Sequence, residues 1–192
     1  MAITLEELKA IAKQTDLKFF CDEEKQILIL GGPGRGSVCY LFVRLTEDGE
    51  AIYFHVPYLA TVPTDHPNLT KALLMLMAEN NRVKVGRFCY DPDDGEVYLD
   101  WFIPLEDSAM TSQQLERCLK TLMILADEVG VRLRHLLETG EDLPPTTEGG
   151  SEGILRRFLS NGLSSEEAEV RLRRLFQALS ETSTEGTEEN EP

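Results

Sequence analysis

Apolar positions along the first 137 residues recur with two different periods, and the change of period separates helices from strands. Apolar residues three and four positions apart predict amphipathic helices over residues 4–15, 69–79 and 112–137. Short apolar runs bounded by turn residues predict strands. The predicted strands cover residues 17–21, 26–30, 38–45, 51–56, 83–90 and 97–103.

The order of these predicted elements, α-β-β-β-β-α-β-β-α, constrains the fold class. Consecutive strands are joined by short links, including the turn signals at residues 46–49 and 91–95. Links this short require antiparallel pairing, since a parallel connection needs a longer crossover. We therefore predict an α+β domain over residues 4–137, in which helices pack on a largely antiparallel sheet of five or six strands.

Local signals predict where several helices begin and end. Thr4 and Glu7 form a capping-box pattern, and Asn68 is a suitable N-cap for the second helix. The pair at residues 80–81, Asn-Asn, is predicted to end that helix. Thr111 or the serine after it is expected to cap the last long helix.

Two segments between the first strands have distinctive composition. Residues 31–36, Gly-Gly-Pro-Gly-Arg-Gly, predict a loop. Residues 38–45 are almost continuously apolar, which is typical of a central strand buried on both faces.

The chain after the predicted domain divides into three parts. Residues 138–152 are rich in Thr, Glu, Gly and Pro and predict a flexible linker. Residues 153–180 predict a helical extension, and residues 181–192 predict a disordered acidic tail. The extension is expected either to dock on its own or a neighbouring protomer, or to extend the domain core. Its apolar face consists of Leu172, Leu175, Phe176 and Leu179.

Charge and cysteine usage narrow the class of partner and the compartment. The formal net charge of −15 disfavours nucleic acid and anionic membranes as partners, because both are polyanions. The first residues lack a basic n-region and an apolar h-region, so we expect no signal peptide and a cytoplasmic protein.

No cysteines form a CxxC pair, and buried reduced thiols are the preferred interpretation. The cysteines are Cys21, Cys39, Cys89 and Cys118.

Three patterns resemble a phosphate-binding loop, a calcium loop and a histidine metal site, but each lacks the residues or the spacing that such a site requires. The glycine run lacks Gly-Lys-Ser/Thr and precedes a strand, so a hairpin loop is preferred to a phosphate-binding loop. Residues 91–95, Asp-Pro-Asp-Asp-Gly, have the wrong ligand spacing for calcium, since Phe102 occupies the glutamate position. His55, His66 and His135 have no metal-ligand spacing. We therefore predict no metal, no cofactor and no catalytic residue.

Aromatic residues in the last predicted hairpin are candidates for contacting a partner. Packing within the sheet is the simpler interpretation of the same residues. The candidates are Tyr90, Tyr98, Trp101 and Phe102.

The second helix carries more apolar surface than one sheet face can cover. Residues 72–78 are seven consecutive apolar residues, and two full turns of helix place them on every side. Internal burial against another helix, a second protomer or a ligand could cover the excess. We predict a homodimer interface on this helix, where flexible thioethers suit a surface that repacks. The interface candidates are Leu73, Leu74, Met75, Leu76 and Met77.

Several short motifs of turn and strand residues occur together over residues 4–137. They are Phe19-Phe20, 41–45 with Glu47-Asp48-Gly49, 73–77 with Glu79-Asn80-Asn81, Gly86-Arg87-Phe88, Asp94-Gly95-Glu96-Val97, and Pro104-Leu105 before Met110-Thr111. Together they resemble the YbjN family, which is similar in fold to the type III secretion chaperones. The resemblance implies an α+β domain that dimerises, often through its middle helix, and that binds a peptide or protein, with no known catalytic residues to carry over. Residues 138–192 lie outside it.

Two classes of function follow from the sequence. The preferred one is a non-enzymatic, dimeric protein- or peptide-binding module, a chaperone-like or regulatory adaptor. The alternative is a small-ligand sensor or an enzyme whose site is assembled from scattered residues. A histidine and carboxylates converging in a deep pocket would favour the alternative, and a shallow apolar groove the first. The scattered residues are Arg35, His55, Arg87 and Asp100.

Overall fold

The helices and strands follow one another in the predicted order. The computed structural model describes residues 2–35, 38–106 and 108–144. The α+β class and the order α-β-β-β-β-α-β-β-α are confirmed, and a short 3-10 helix, Glu47–Gly49, joins two strands. The elements are α1 (Leu5–Ala12), β1 (Phe20–Asp22), β2 (Ile27–Pro33), β3 (Val38–Thr46), β4 (Ala51–Thr61), α2 (Leu69–Arg82), β5 (Arg87–Tyr90), β6 (Glu96–Pro104) and α3 (Ser112–Thr139).

The strands form one antiparallel sheet with the order β1-β2-β3-β4-β6-β5. The β5–β6 hairpin returns to the sheet through its second strand, so β6 pairs with β4 and β5 becomes an edge. The other edge is β1, which has only three residues. The two long strands β4 and β6 therefore lie side by side near the middle, where each has a partner on both sides.

The main core lies between one face of the sheet and the helices. The amphipathic helix predicted over residues 112–137 is confirmed by α3, since each member of its apolar stripe is buried in the same hydrophobic cluster as the strands. The members are Leu115, Cys118, Leu119, Leu122, Ala126, Val129, Leu133 and Leu136. The buried residues of β3 and β4 that share this cluster are Cys39, Leu41, Val43, Ile52, Phe54, Val56 and Leu59.

The prediction that β3 is buried on both faces is wrong. Its burial alternates, and Val38, Tyr40 and Phe42 remain partly exposed on the face opposite the core. The apolar run therefore combines two different faces: aliphatic residues that meet the helices, and largely aromatic residues that do not.

Strands β2 and β4 are longer than the sequence predicts. The predicted loop at residues 31–36 begins too early, because Gly31 and Gly32 still pair with β3. A Cβ atom on Gly31 would lie 2.8 Å from a ring carbon of Tyr40, so glycine allows that ring to cross the strand. In β4, Pro57 falls within a register irregularity between Val56 and Ala60, where a missing N–H is tolerated.

Two asparagines that the sequence places at the ends of α2 use their side-chain amides to bond other elements. Asn68 occupies the N-cap position of α2 without a capping bond, and its Nδ2 donates to the Leu137 carbonyl, 2.9 Å away. Helix α2 also continues past Asn80 to Arg82. The Asn80 amide instead accepts the Phe88 N–H at 2.7 Å and donates to the Phe88 carbonyl at 2.9 Å. It thereby occupies backbone groups of edge strand β5 that could recruit another strand.

A buried arginine joins α2, α3 and the chain that follows α3. Arg132 Nη1 lies 2.6 Å from the Glu79 carboxylate, and Arg132 Nη2 lies 2.5 Å from that of Asp142. Arg132 Nε also donates to the Leu143 carbonyl. Because Arg82 contacts Glu79 as well, every charge in this group has a partner.

The described part of the predicted linker begins with the end of α3, which extends to Thr139. Residues 140–144 then follow, held in part by Arg132. The remainder of the predicted linker, the helical extension 153–180 and the tail 181–192 lie outside the described residues. So do the predicted docking residues Leu172, Leu175, Phe176 and Leu179.

Replacing Arg132 with methionine should destabilise the domain. The substitution keeps the apolar stem and leaves the buried Glu79 carboxylate with one partner fewer. We expect the free energy of unfolding, measured by urea denaturation at pH 7, to fall by about 3 kcal/mol. Arg117→Met, at an exposed position of the same helix, should change it by less than about 0.5 kcal/mol. Equal stability of the two variants would show that the buried pair contributes nothing.

Candidate functional site

The face of the sheet opposite the helices presents polar and aromatic side chains in register. His55 of β4 pairs with Asp100 of β6, which pairs in turn with Arg87 of β5. One row further along, Tyr53 lies between Arg44 of β3 and Phe102 of β6. We call the part of this surface formed by β3 to β6 the outer face. The outer-face residues discussed below are Arg44, Tyr53, His55, Arg87, Cys89, Tyr98, Asp100 and Phe102.

Asp100 is the centre of the hydrogen bonds on the outer face. Its side chain is 5% exposed, and the Arg87 side chain that covers it is 67% exposed. Arg87 Nε donates to Asp100 Oδ1 at 2.8 Å, and Arg87 Nη2 donates to Oδ2 at 3.3 Å. The Tyr53 hydroxyl donates to the same Oδ2 at 3.2 Å. These bonds satisfy the buried carboxylate, and they hold the Arg87 and Tyr53 side chains in place.

The tyrosine that contacts Asp100 stays protonated. Burial, reinforced by the nearby Asp100 carboxylate, raises the pKa of Tyr53 to about 12. Arg44 lies over the Tyr53 ring, with the guanidinium carbon 4.9 Å from the ring centroid. The Tyr53 ring therefore orients Arg44. Its hydroxyl bonds Asp100, which in turn holds Arg87.

His55 lies among aromatic rings. Its ring is stacked 5.9 Å from that of Tyr53 and lies 5.2 Å from that of Tyr98, measured between centroids. Burial lowers the pKa of His55; the Asp100 carboxylate opposes this shift more weakly, and Arg44 adds to it. His55 is thus neutral at pH 7 and contributes a flat, polar ring to the outer face.

Cys89 lies at the border of this group as a partly buried thiol. Its Sγ lies 3.7 Å from Asp100 Oδ1. Burial, with an added contribution from Asp100, raises the pKa of Cys89, and burial raises the pKa of both Cys39 and Cys118 to about 11. Thiols in these surroundings stay protonated and unreactive at neutral pH.

The structure brings together three of the four scattered residues of the alternative prediction. His55, Arg87 and Asp100 meet on the outer face, and Arg35 does not. The Arg35 N–H and its Nε donate to the Asp127 carboxylate of α3, at 2.6 and 2.8 Å. The three that meet form a shallow surface, since the Arg87 side chain is mostly exposed.

The four aromatic candidates divide between the two faces of the sheet. Trp101 and Tyr90 face the helices: the Trp101 ring lies 6.0 Å from that of Phe54, and the Tyr90 hydroxyl donates to the Val62 carbonyl. Both are partly buried and pack against the core, which leaves them less surface for a partner than an exposed ring has. Tyr98 and Phe102 lie on the outer face, and Phe102 is 41% exposed.

The five candidate interface residues of α2 also divide. Met75 and Leu76 are buried in the core of their own chain and offer little surface to a second copy, and Leu73 is half-buried. Leu74 and Met77 are 62% and 68% exposed. They lie on an exposed stripe of α2 without charged side chains, which we call the α2 stripe. It comprises Thr70, Leu74, Met77, Ala78 and Asn81.

Sequence reasoning missed Arg44 and Tyr53. Each looks like an ordinary strand residue, and only the register that places Arg44 opposite Tyr53 reveals the cation–aromatic pair. The available signal was the β3–β4 turn, since a hairpin turn determines which residues face each other.

The acidic turn serves its own backbone. Asp91 Oδ1 accepts the N–H of Asp93, and Asp94 Oδ1 accepts the N–H of Glu96.

Within the described ranges, no group of three or more His, Cys, Asp or Glu residues is arranged to hold a metal ion. None of the helices in the same ranges is both long and apolar enough to cross a bilayer.

Comparison with known proteins gives one family. The family model for YbjN, described as "Putative bacterial sensory transduction regulator", matches residues 4–134. A solved structure described as YbjN, a putative transcription regulator from E. coli, is similar with 15% sequence identity and a TM-score of 0.49. That match covers 76% of this chain and 99% of the other. No curated protein matches.

The environment of His55 predicts a pH-dependent stability. Its pKa is lower in the folded chain than the value of about 6.5 for an unfolded one. Its stabilising contribution is therefore present above that pH and is lost as the pH falls through the folded pKa. Between pH 7.5 and pH 5, urea denaturation should show a larger loss of stability for the wild-type chain than for His55→Gln. Parallel losses would mean that His55 titrates alike in both states.

Proposed function

The chain belongs to the YbjN family, and we propose that it is a non-enzymatic regulatory module that holds a peptide or protein segment of a partner on its outer face. The family description names a regulator of sensory transduction. A regulator acts by binding, which requires an accessible surface with shape and orientation. The outer face offers such a surface on a rigid sheet.

One observation carries this proposal: exposed aromatic surface is combined with oriented polar groups on the outer face. The solvent-facing side of an antiparallel sheet is normally polar. Here Phe102 is exposed beside an arginine and tyrosine that are already held in place by Asp100. Aromatic and arginine side chains are the types that contribute most to binding energy at interfaces.

The chemistry of the same residues supports binding more than catalysis. The Asp100 carboxylate accepts three hydrogen bonds from Arg87 and Tyr53 and one from the Cys89 thiol, and the raised pKa values of Tyr53 and Cys89 leave neither as a base or nucleophile at pH 7. The meeting of His55 and Asp100 supports the alternative, a small-ligand sensor. Small-molecule sites usually enclose most of the ligand surface. Because Arg87 and Phe102 are exposed on an open sheet face, they suit a larger ligand such as a peptide or protein segment.

We also propose that two copies associate through the α2 stripe. The chain carries a net charge of −15, so contact between copies is opposed by repulsion wherever acidic side chains face each other. The α2 stripe has no charged side chain and exposes Leu74 and Met77. A two-fold arrangement would pair this stripe with itself, because each copy presents the same patch.

Capture from a native lysate tests the binding role. The full chain and a Phe102→Glu variant are immobilised in parallel, and bound proteins are compared by quantitative mass spectrometry. We expect specific proteins to be depleted at least about tenfold by the variant, since a buried interface aromatic contributes about 2 kcal/mol or more. Gln113→Glu adds the same charge at an exposed site on α3 and should retain them. Identical protein sets on all three surfaces would refute the role of the outer face.

Sedimentation velocity at micromolar concentration tests the dimer. The wild-type chain should sediment as a dimer, and Leu74→Glu/Met77→Glu as a monomer, because the variant places like charges across the two-fold contact. Thr64→Glu/Gln113→Glu adds the same charge at exposed sites away from the stripe and should remain dimeric. A monomeric wild-type chain, or a dimeric double variant of the stripe, would remove the proposal.

A further inference from the structure

We propose that the outer face recognises an extended segment with one aromatic anchor and carboxylates on both sides of it. This inference rests on the proposed binding function and specifies the chemistry of the partner. It follows from three features of the outer face: which charge a ligand can reach, how the cations are held, and how far they lie from Phe102.

The charge that a ligand can reach on the outer face is positive. Asp100 is buried and already bonded to Arg87 and Tyr53, so its carboxylate is not available to a ligand. The Arg87 side chain above it is 67% exposed, and Arg44 is exposed as well. Glu96, at the far end of β6, accepts the Tyr58 N–H. The charged groups of the outer face that a ligand meets on either side of Phe102 are therefore the guanidinium groups of Arg44 and Arg87, although the charge of Arg87 is balanced by the buried Asp100.

Both cations are held in place before a ligand arrives. Arg87 is fixed by two bonds to Asp100, and Arg44 lies on the Tyr53 ring. Binding then costs less side-chain entropy than it would with two free arginines. The planar guanidinium also matches a carboxylate with two parallel N–H donors, which a lysine does not. A carboxylate is consequently the group that this pair of arginines recognises best.

The spacing of the two arginines defines the length of the ligand. Arg44 and Phe102 lie two strands apart in one row, which corresponds to roughly 10 Å. Arg87 lies one strand and two residues from Phe102, which corresponds to roughly 8 Å. An extended chain advances about 3.3 Å per residue, so carboxylates two or three residues before and after an anchor reach both arginines.

The anchor itself is aromatic because of what surrounds Phe102. This ring is 41% exposed, and it lies across from Tyr53 in β4. A second ring that packs here gains apolar burial and the geometric preference of aromatic pairs. The resulting pattern is an acidic residue, one or two spacers, an aromatic residue, one or two spacers, and a second acidic residue.

A random dodecapeptide library displayed on phage tests this pattern against the immobilised full-length chain in 50 mM salt. We expect the selected peptides to be enriched in Asp or Glu two or three positions from Phe, Tyr or Trp. Synthetic versions of them should bind about tenfold more weakly to Arg44→Gln and to Phe102→Ala, as expected for one charge-assisted bond or one aromatic contact. Arg117→Gln, which removes a charge from α3, should bind as the wild-type chain does.

The possible results of the selection distinguish the acidic–aromatic pattern from the more general proposal that the outer face binds peptides. Peptides that are enriched in basic or purely aliphatic residues would overturn the acidic–aromatic pattern while leaving a peptide-binding module. So would acidic peptides whose affinity is unchanged in both Arg44→Gln and Phe102→Ala. A library that yields no sequence above background would refute peptide binding itself. Circular dichroism of each variant guards against loss of fold, and both substituted residues are exposed.

Discussion

One-sided burial of the antiparallel sheet is the constraint on which the rest of the structure depends. Successive residues of a strand point to opposite faces, so packing α3 against Leu41 and Phe54 assigns every neighbour in β3 and β4 to the other side. A slip of one residue between β4 and β6 would exchange Asp100 with Leu99 and place a carboxylate in the core. The hydrophobic core therefore determines the register, and the register brings Arg87, Tyr53 and His55 around Asp100.

The buried Asp100 carboxylate is stable only because this register supplies its partners. An unpaired carboxylate at this depth would cost several kcal/mol. Arg87 and Tyr53 provide three hydrogen bonds, and they come from the strands on either side of β6. The same bonds that satisfy the acid immobilise the arginine and the ring that a partner would meet. Stability of the sheet and preorganisation of the outer face are thus properties of one network.

Local patterns in the sequence predict the elements well and their long-range contacts poorly. The stripe of α3 and the Thr4 capping box depend on residues within two turns, and both are confirmed. Asn68 and Asn80 look like helix boundaries because asparagine favours them, yet their amides bond to Leu137 and Phe88 in other elements. The outer face is likewise hidden, since its residues come from four strands and become neighbours only through pairing.

The acidity of the chain and the cationic character of the outer face act over different distances. Net charge governs the approach of a ligand out to about one Debye length, and a chain at −15 repels an acidic segment at that range. Contact energy is set within a few ångströms, where a ligand meets the guanidinium of Arg44 and the solvent side of the Arg87–Asp100 pair, while the Asp100 carboxylate lies buried beneath Arg87. Salt weakens both effects, so it speeds association while shortening the lifetime of the complex. The long-range repulsion consequently selects against acidic segments that lack an aromatic anchor, because carboxylates alone must overcome it without the burial that Phe102 provides.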